Sequence, residues 1–449
     1  MRNDAETASL LAHLSSDRRY LAMLGLGFSA GIPFLLVYVT QSAWLSEAKV
    51  PIETIGLMSE LTIAYKFKFV WAPFLDKYDA RVFSALLRRR RGWIVVSQIA
   101  VMLSLAGVAF GDPAHWLAWT VAFSIALGVA GATQDVTIDG WRITAVPVEK
   151  QSILTAISEM GYRVGTLAAG AGALILADRY GWRSAYLCMA ALMLVGAISA
   201  FIAPEPESDY TAGHEHPSFV ALIVAPIKEL WTRLGPLTFP ILLMIAGFRM
   251  PGYIASAMAM PLFKSLEYSD SEIATVTKLF GFWIALAATF FSSYVIRKVG
   301  LMPSLLIGAV AGSASHLSLA WLSAHHGGDF WTFAIAVGID GFAYAFAQVV
   351  LINYMSSLTA TELAASQYAL LTSLCAFPGS LLAGASGFII KSTGFTMFFI
   401  LTSLIGIPVA GLCWYVLRQH ATWTLDPERH GAGASGLAQG AKQGAEPSI

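Results

Sequence analysis

The stretch from Trp116 to Val146, WLAWTVAFSIALGVAGATQDVTIDGWRITAV, is apolar over most of its length yet carries Asp135, Asp139 and Arg142. A run of about 20 apolar residues spans the hydrocarbon core of a bilayer, so this segment is long enough to cross one with its ionised groups inside. At 3.6 residues per turn, steps of four and three place Asp135, Asp139 and Arg142 on one stripe of a helix. A charge at the bilayer centre costs at least about 2.5–3.5 kcal/mol, so such a stripe faces a bundle interior or a watery cavity. Gly128 and Gly131 thin the same helix one to two turns earlier.

Working outward, the 449 residues are 56% hydrophobic and 12% charged, with a mean hydropathy of +0.64. That composition excludes an ordinary soluble protein. Twelve apolar runs are read at 20–45, 55–75, 93–110, 116–146, 153–177, 184–203, 237–263, 273–296, 301–323, 331–358, 363–390 and 395–417, predicting an all-α membrane protein of twelve transmembrane helices. Six of them hold intramembrane charge: Glu60, Lys66 and Lys68 in the second; Asp135, Asp139 and Arg142 in the fourth; Glu159 and Arg163 in the fifth; Arg249, Lys278 and Asp340 in the seventh, eighth and tenth.

The first run follows Arg18 and Arg19 and is too long for a signal-peptide core, so it is read as a retained span. Threading the chain from there puts Arg2, Arg18, Arg19, Lys77, Arg81, Arg88 to Arg91, Lys150, Lys228, Arg233, Arg297, Lys298 and Arg418 on one side. Only Lys49, Arg179, Arg183, Lys264 and Lys391 fall on the other. The basic side is cytoplasmic, and an even number of spans leaves both termini there. The expected organisation is a cytoplasmic segment 1–19, a six-helix bundle 20–203, a cytoplasmic linker 204–235, a second bundle 236–418 and a disordered tail 419–449.

The linker opens with Glu205, Glu207 and Asp209. Phe219, Leu222, Ile223, Leu230 and Trp231 then suggest a surface-docked helix carrying Lys228 and Arg233, which Pro226 would break or kink. The bundles show an internal repeat: Gly-Ile-Pro33-Phe corresponds to Arg-Met-Pro251-Gly, Gly128 to Gly341, Ala156 to Ala369, and Gly181-Trp182 to Gly394-Phe395. Two six-helix halves related by a parallel repeat resemble the major facilitator superfamily and its 6+6 pseudo-symmetric bundle. That resemblance implies that the third, sixth, ninth and twelfth helices face lipid; these are spans without acid, Lys or Arg.

The loop Ala72-Pro-Phe-Leu-Asp76-Lys77-Tyr-Asp79-Ala-Arg81 resembles the superfamily's cytoplasmic loop, with Ala72 where Gly is usual. The resemblance implies gating roles for Asp76 and Arg81, the acid capping a neighbouring helix, while Arg88 to Arg91 are read as setting topology. In the fifth span Glu159 and Arg163 stand four apart, the spacing of an ion pair. Two readings stay open for Asp135, Asp139, Arg142, Glu159 and Arg163: a structural salt-bridge network, or a proton-coupling site in which one acid titrates. Lys66, Lys68, Arg249 and Lys278 outweigh Glu60 and Asp340, favouring an anionic solute. The candidate substrate residues are therefore Lys68, Arg249, Lys278 and Asp340, with Tyr65, Gln134 and Trp141 for hydrogen bonds and stacking.

Zinc-protease, serine-hydrolase and Walker signatures are missing, so an enzyme is not expected. Cys188, Cys375 and Cys413 lack metal-ligand spacing and are read as packing residues, with no metal or cofactor expected. His316, alone in the ninth span, is read as a satisfied polar residue. The glycine pairs in Gly27-Phe-Ser-Ala-Gly31 and Gly161-Tyr-Arg-Val-Gly165 predict close helix approach. Trp44, Trp71, Trp93, Trp116 and Trp182 lie near span ends, as interfacial anchors do.

Segments Ala64 to Tyr78, Gln134-Asp135 through Trp141-Arg142, Gly161-Tyr-Arg163-Val-Gly165, Leu176-Ala-Asp178-Arg-Tyr-Gly-Trp182, Ala203-Pro-Glu205-Pro206 and Ser366-Gln367-Tyr368-Ala-Leu-Leu371 resemble the AmpG-type muropeptide permeases. This subgroup also contains acetyl-CoA transporters and siderophore importers. The resemblance implies a proton-driven importer of anhydro-muropeptides in the bacterial inner membrane, serving peptidoglycan recycling. The chain is read as a monomer, with lipid and protons as partners and no nucleic acid. The alternatives are a siderophore or acyl-CoA carrier of the same fold, or a membrane receptor that binds cell-wall fragments without transporting them. Lys66 and Glu60 depart from the family pattern.

Overall fold

A computed structural model describes residues 17–51, 54, 55, 58, 60–80, 82–206, 219–325 and 329–425. The expected gating residue Arg81, nearly all of the segment 1–19 and most of the tail 419–449 lie outside these. Among the described residues nine stretches are long and apolar enough to cross a membrane: Arg18–Glu47, Arg89–Ala109, Leu117–Ala145, Lys150–Ile202, Ile223–Ser265, Ser271–Val299, Leu301–Ala324, Phe330–Ser357 and Ser386–Gln419. Gly181, with φ 80°, divides Lys150–Ile202 into the fifth and sixth spans. Gly394, with φ 76°, likewise separates the end of the eleventh span from the twelfth. With the helix Ala364–Ala383 and the broken segment 60–77, the arrangement is consistent with twelve crossings.

The repeat read from sequence has a backbone counterpart. Gly181 and Gly394 adopt the same left-handed turn at matching positions. The first span breaks before Pro33 and the seventh at Arg249, just before Pro251. Proline lacks the N–H a helix interior needs, so each begins a new helical segment. Gly300, with φ 89°, turns the chain between the eighth and ninth spans, while Arg88, with φ 65°, occupies the comparable position between the second and third.

Two expectations about span boundaries are corrected. The second span is not one helix but the pieces Glu60–Thr62, Ile63–Phe67, Lys68–Val70 and Ala72–Lys77, the last opened by Pro73. The third begins at Arg89, so three of the four loop arginines form its first turn.

The first and fifth spans meet through their glycines. A Cβ on Gly27 or Gly31 would strike the carbonyls of Ser158 or Tyr162, and one on Gly161 or Gly165 those of Leu24 or Phe28. Small residues permit that approach.

The chain folds into two compact units. One extends to Pro226 and includes Thr359–Ser373, the start of the eleventh span; the other comprises Ile227–Leu358 and the chain from Leu374 onward. In the first unit Ile32, Leu105, Leu127 and Tyr186 centre one core cluster, and Leu26, Ile94, Trp141 and Leu154 another. In the second unit Leu262, Phe333, Phe398 and Phe399 do so. Leu103, Ile198, Val310 and Ile407, one from each span expected to face lipid, are exposed.

The linker helix Phe219–Leu234 continues through Pro226, so of the expected break or kink the break is absent. Val220, Val224, Ile227 and Trp231 form its exposed stripe, while Leu230 turns inward and is buried. The side chains of Phe219 and Leu222 lie outside the described residues.

Candidate functional site

In the first unit the short turn Lys68–Val70 brings Lys68 against the fourth span, with Nζ 3.7 Å from Asp135 Oδ2. Both groups are substantially buried, which an unpaired ammonium or carboxylate would not tolerate. Gly128 and Gly131 make the approach possible: a Cβ at Gly128 would crowd the Leu61 carbonyl, and one at Gly131 would collide with the Tyr65 hydroxyl. The Tyr65 ring packs edge-on against Phe34 with centroids 5.2 Å apart. Its hydroxyl is buried without a hydrogen-bond partner, and Asp135 and Tyr162 act on it electrostatically.

One turn along the stripe, Asp139 Oδ1 accepts from Arg142 Nη2 at 3.3 Å and Nε at 3.4 Å. Arg142 Nη1 donates to Thr155 Oγ1 of the fifth span at 2.9 Å, and its guanidinium lies 5.1 Å from the Tyr368 ring centroid. Glu159 is within electrostatic reach of Arg142. Arg163 Nε is buried and makes no hydrogen bond. The predicted stripe thus forms two adjacent pairs, Lys68–Asp135 and Asp139–Arg142, drawn from the second and fourth spans and braced by the fifth.

Two expected contact residues face elsewhere. Gln134 turns to the first and third spans, where its Nε2 is 3.3 Å from Ser29 Oγ beside Gln98. Trp141 is wholly buried and donates its indole N–H to the Pro204 carbonyl at 2.9 Å. In this conformation its ring presents no face to a solute.

In the second unit, the break before Pro251 places Arg249 between two helical segments. Its Nη2 donates to the Tyr344 hydroxyl at 2.5 Å, and its guanidinium lies 4.9 Å from the Tyr253 ring centroid and 5.6 Å from that of Tyr344. Its Nε is buried without a partner. An arginine held over aromatic faces keeps donors available for carboxylate or phosphate. Lys278 is exposed on the π-helical turn Thr275–Phe280, and such turns recur at functional sites. Asp340 does not join Arg249; its Oδ1 accepts from Ser315 Oγ at 2.9 Å.

The loop acid Asp76 is 3% exposed. Its Oδ2 accepts from Ser366 N at 2.7 Å and Ser366 Oγ at 2.5 Å, and its Oδ1 from Ala365 N at 3.4 Å, capping the eleventh span. Arg90 Nη1 stands 3.5 Å from Oδ1, and Nη2 donates to the Thr361 carbonyl at 3.1 Å. Arg89 reaches the Asp76 carbonyl. Glu205 in turn accepts from Arg90 N and Arg91 N at 2.9 and 3.2 Å. The arginine run therefore builds this junction as well as carrying the charge that sets topology.

Sequence reasoning missed Tyr344, Thr155 and Glu205 as partners, because none stands within a helical turn of the charge it serves; Tyr253, four residues after Arg249, was within reach of helical spacing and was passed over. Ser366 and Tyr368 stood in a segment noted only for its family likeness.

Paired charges within a broken helical framework consistent with twelve crossings belong to a membrane carrier. Residues 24–384 match the Major Facilitator Superfamily, and the chain belongs to that family: it is a multi-pass secondary transporter. It is 27% identical over 392 residues to the anhydromuropeptide permease of Escherichia coli (strain K12), covering 87% of this chain and 78% of that one. An AmpG-type transporter of Rickettsia felis is 28% identical over 414 residues, covering 91% and 99%. Among solved structures the fold is similar to the proton:xylose symporter XylE, with TM-score 0.64, 13% identity and coverage of 89% and 95%. It is also similar to the human organic anion transporter MFSD10, with TM-score 0.66, 14% identity and coverage of 88% and 99%. These relatives are permeases and transporters rather than enzymes.

Proposed function

We propose that this chain is a proton-coupled importer of anhydro-muropeptides, working as a monomer in the bacterial inner membrane with both termini in the cytoplasm. The observation that carries the reading is the two ion pairs on the fourth span, Lys68–Asp135 and Asp139–Arg142, each a buried cation against a half-buried acid. A buried pair is costly to break while one charge remains. Protonating the acid at the moment its cation is withdrawn removes that cost, which links proton binding to release of the cation. The freed lysine or arginine then offers a positive charge to an anionic solute. Lys68, buried in the first unit, and Arg249, half-buried in the second, are the proposed anchors for solute carboxylates, with the Tyr65 hydroxyl in the first unit. The name of the Escherichia coli relative supports the choice of cargo. In this reading 20–203 and 236–418 are the two rocking bundles and 204–235 joins them.

The test is uptake of labelled anhydro-muropeptide into membrane vesicles. Asp139→Asn and collapse of the proton gradient should each abolish accumulation. Accumulation undiminished by both would defeat the mechanism.

A further inference from the structure

Within its own span His316 is an isolated titratable group, yet a carboxylate from the tenth span is fixed to the residue before it. Asp340 Oδ1 is held by the hydroxyl of Ser315, the residue preceding His316. His316 is 2% exposed, and its Nδ1 has no hydrogen-bond partner. The ring hydrogen-bonds the backbone of Thr402 in the twelfth span, and Asp340 and His316 act on each other electrostatically. From the spans packed around it, the seventh commits Arg249 to Tyr344 and Tyr253, and the twelfth contributes the Thr402 backbone.

We propose that His316 and Asp340 form a second proton-binding site, in the second unit, separate from the fourth-span acids. With Nδ1 unpartnered, the bond to Thr402 is made from Nε2–H, which fixes the tautomer. The Nδ1 lone pair is then the base. A proton bound there converts imidazole to imidazolium, and the pair passes from net charge −1 to 0. Ser315 holds the carboxylate in place through the exchange. Asp340 and Tyr344 are one helical turn apart on the tenth span, and Tyr344 accepts from Arg249. Occupancy of the dyad is thereby linked through one rigid turn to the solute-facing arginine. This coupling role rests on the proton-coupled transport reading above; the protonation itself does not.

The test is a pH titration of histidine side-chain NMR signals in purified protein in lipid nanodiscs, without solute. The signal lost in His316→Gln identifies the residue among the nine histidines. It should titrate, and in Asp340→Asn its midpoint should move by about one pH unit or more, a roughly tenfold change in proton affinity. Ser315→Ala, which keeps both titrating groups, should move it by a smaller amount, and serves if Asp340→Asn does not fold. A midpoint unchanged in these variants, or a signal flat between about pH 5 and 9 in the parent protein, would overturn the proposal. Because no transport is measured, the outcome is independent of Asp139→Asn uptake.

Discussion

Replacing Asp76 tests whether its junction is one cooperative unit. Its carboxylate receives two backbone N–H groups and a hydroxyl from the start of the eleventh span and faces the buried Arg90 guanidinium. Loss of a capping side chain costs about 0.5–2 kcal/mol. Removing one member of a buried ion pair costs about 3–5 kcal/mol, because the other stays buried uncompensated. Asp76→Ala suffers both and should lose at least about 3 kcal/mol. Asp76→Asn retains an acceptor oxygen for Ser366 and should lose less. Arg90→Met leaves the Asp76 carboxylate with its three donors and should cost about 1–3 kcal/mol.

The double variant Asp76→Asn with Arg90→Met carries neither charge. It should be more stable than the sum of the single losses implies, by a coupling energy of about 1–3 kcal/mol. Chemical unfolding of the four proteins in detergent, followed by tryptophan fluorescence, measures this cycle. Single losses that add to within about 0.5 kcal/mol would refute the reasoning, since independent sites behave that way. The capping bonds would then hold the junction without the ion pair.

Further outcomes follow from other parts of the molecule. If Lys68 serves the solute as well as Asp135, Lys68→Met with Asp135→Asn should restore stability lost in either single variant yet leave vesicle uptake abolished; recovery of uptake would reduce Lys68 to a structural counter-ion. Arg88 holds φ 65° and ψ 177°, a region that costs a non-glycine residue about 1–3 kcal/mol. Arg88→Gly should therefore raise the unfolding midpoint, and a lowered midpoint would show that its side chain outweighs the strain. Outside the membrane, Asp329 caps the tenth span by accepting from Thr332 N at 2.9 Å and Thr332 Oγ1 at 2.6 Å, which holds its carboxyl below the usual carboxylate value. Its contribution is thus present above the unfolded-state pKa and lost as pH falls through the lower folded value. The melting difference between parent and Asp329→Ala should shrink on acidification through that window; a constant difference would contradict the assignment.

The apolar runs were legible because each reports what its own segment buries, and the glycine pairs because a missing Cβ constrains whichever neighbour arrives. The turns at Gly181 and Gly394 belong to the same class: they express local backbone requirements. Pairings were not legible, since the partner of Asp76 stands 290 positions away and that of Arg249 stands 95 away. Periodicity fixes a face of a helix without saying what that face meets. Gln134 and Asp135 show the consequence, being adjacent in sequence but directed to Ser29 and Lys68 on different sides of one helix. His316 is the sharper instance. From its own span it reads as a solitary polar group, and its chemistry becomes visible only once the tenth span sets Asp340 beside it. In a bundle of this kind the side chains most costly to bury are therefore those whose roles depend on tertiary partners, and a charge known without its partner says where a function lies but not what it does.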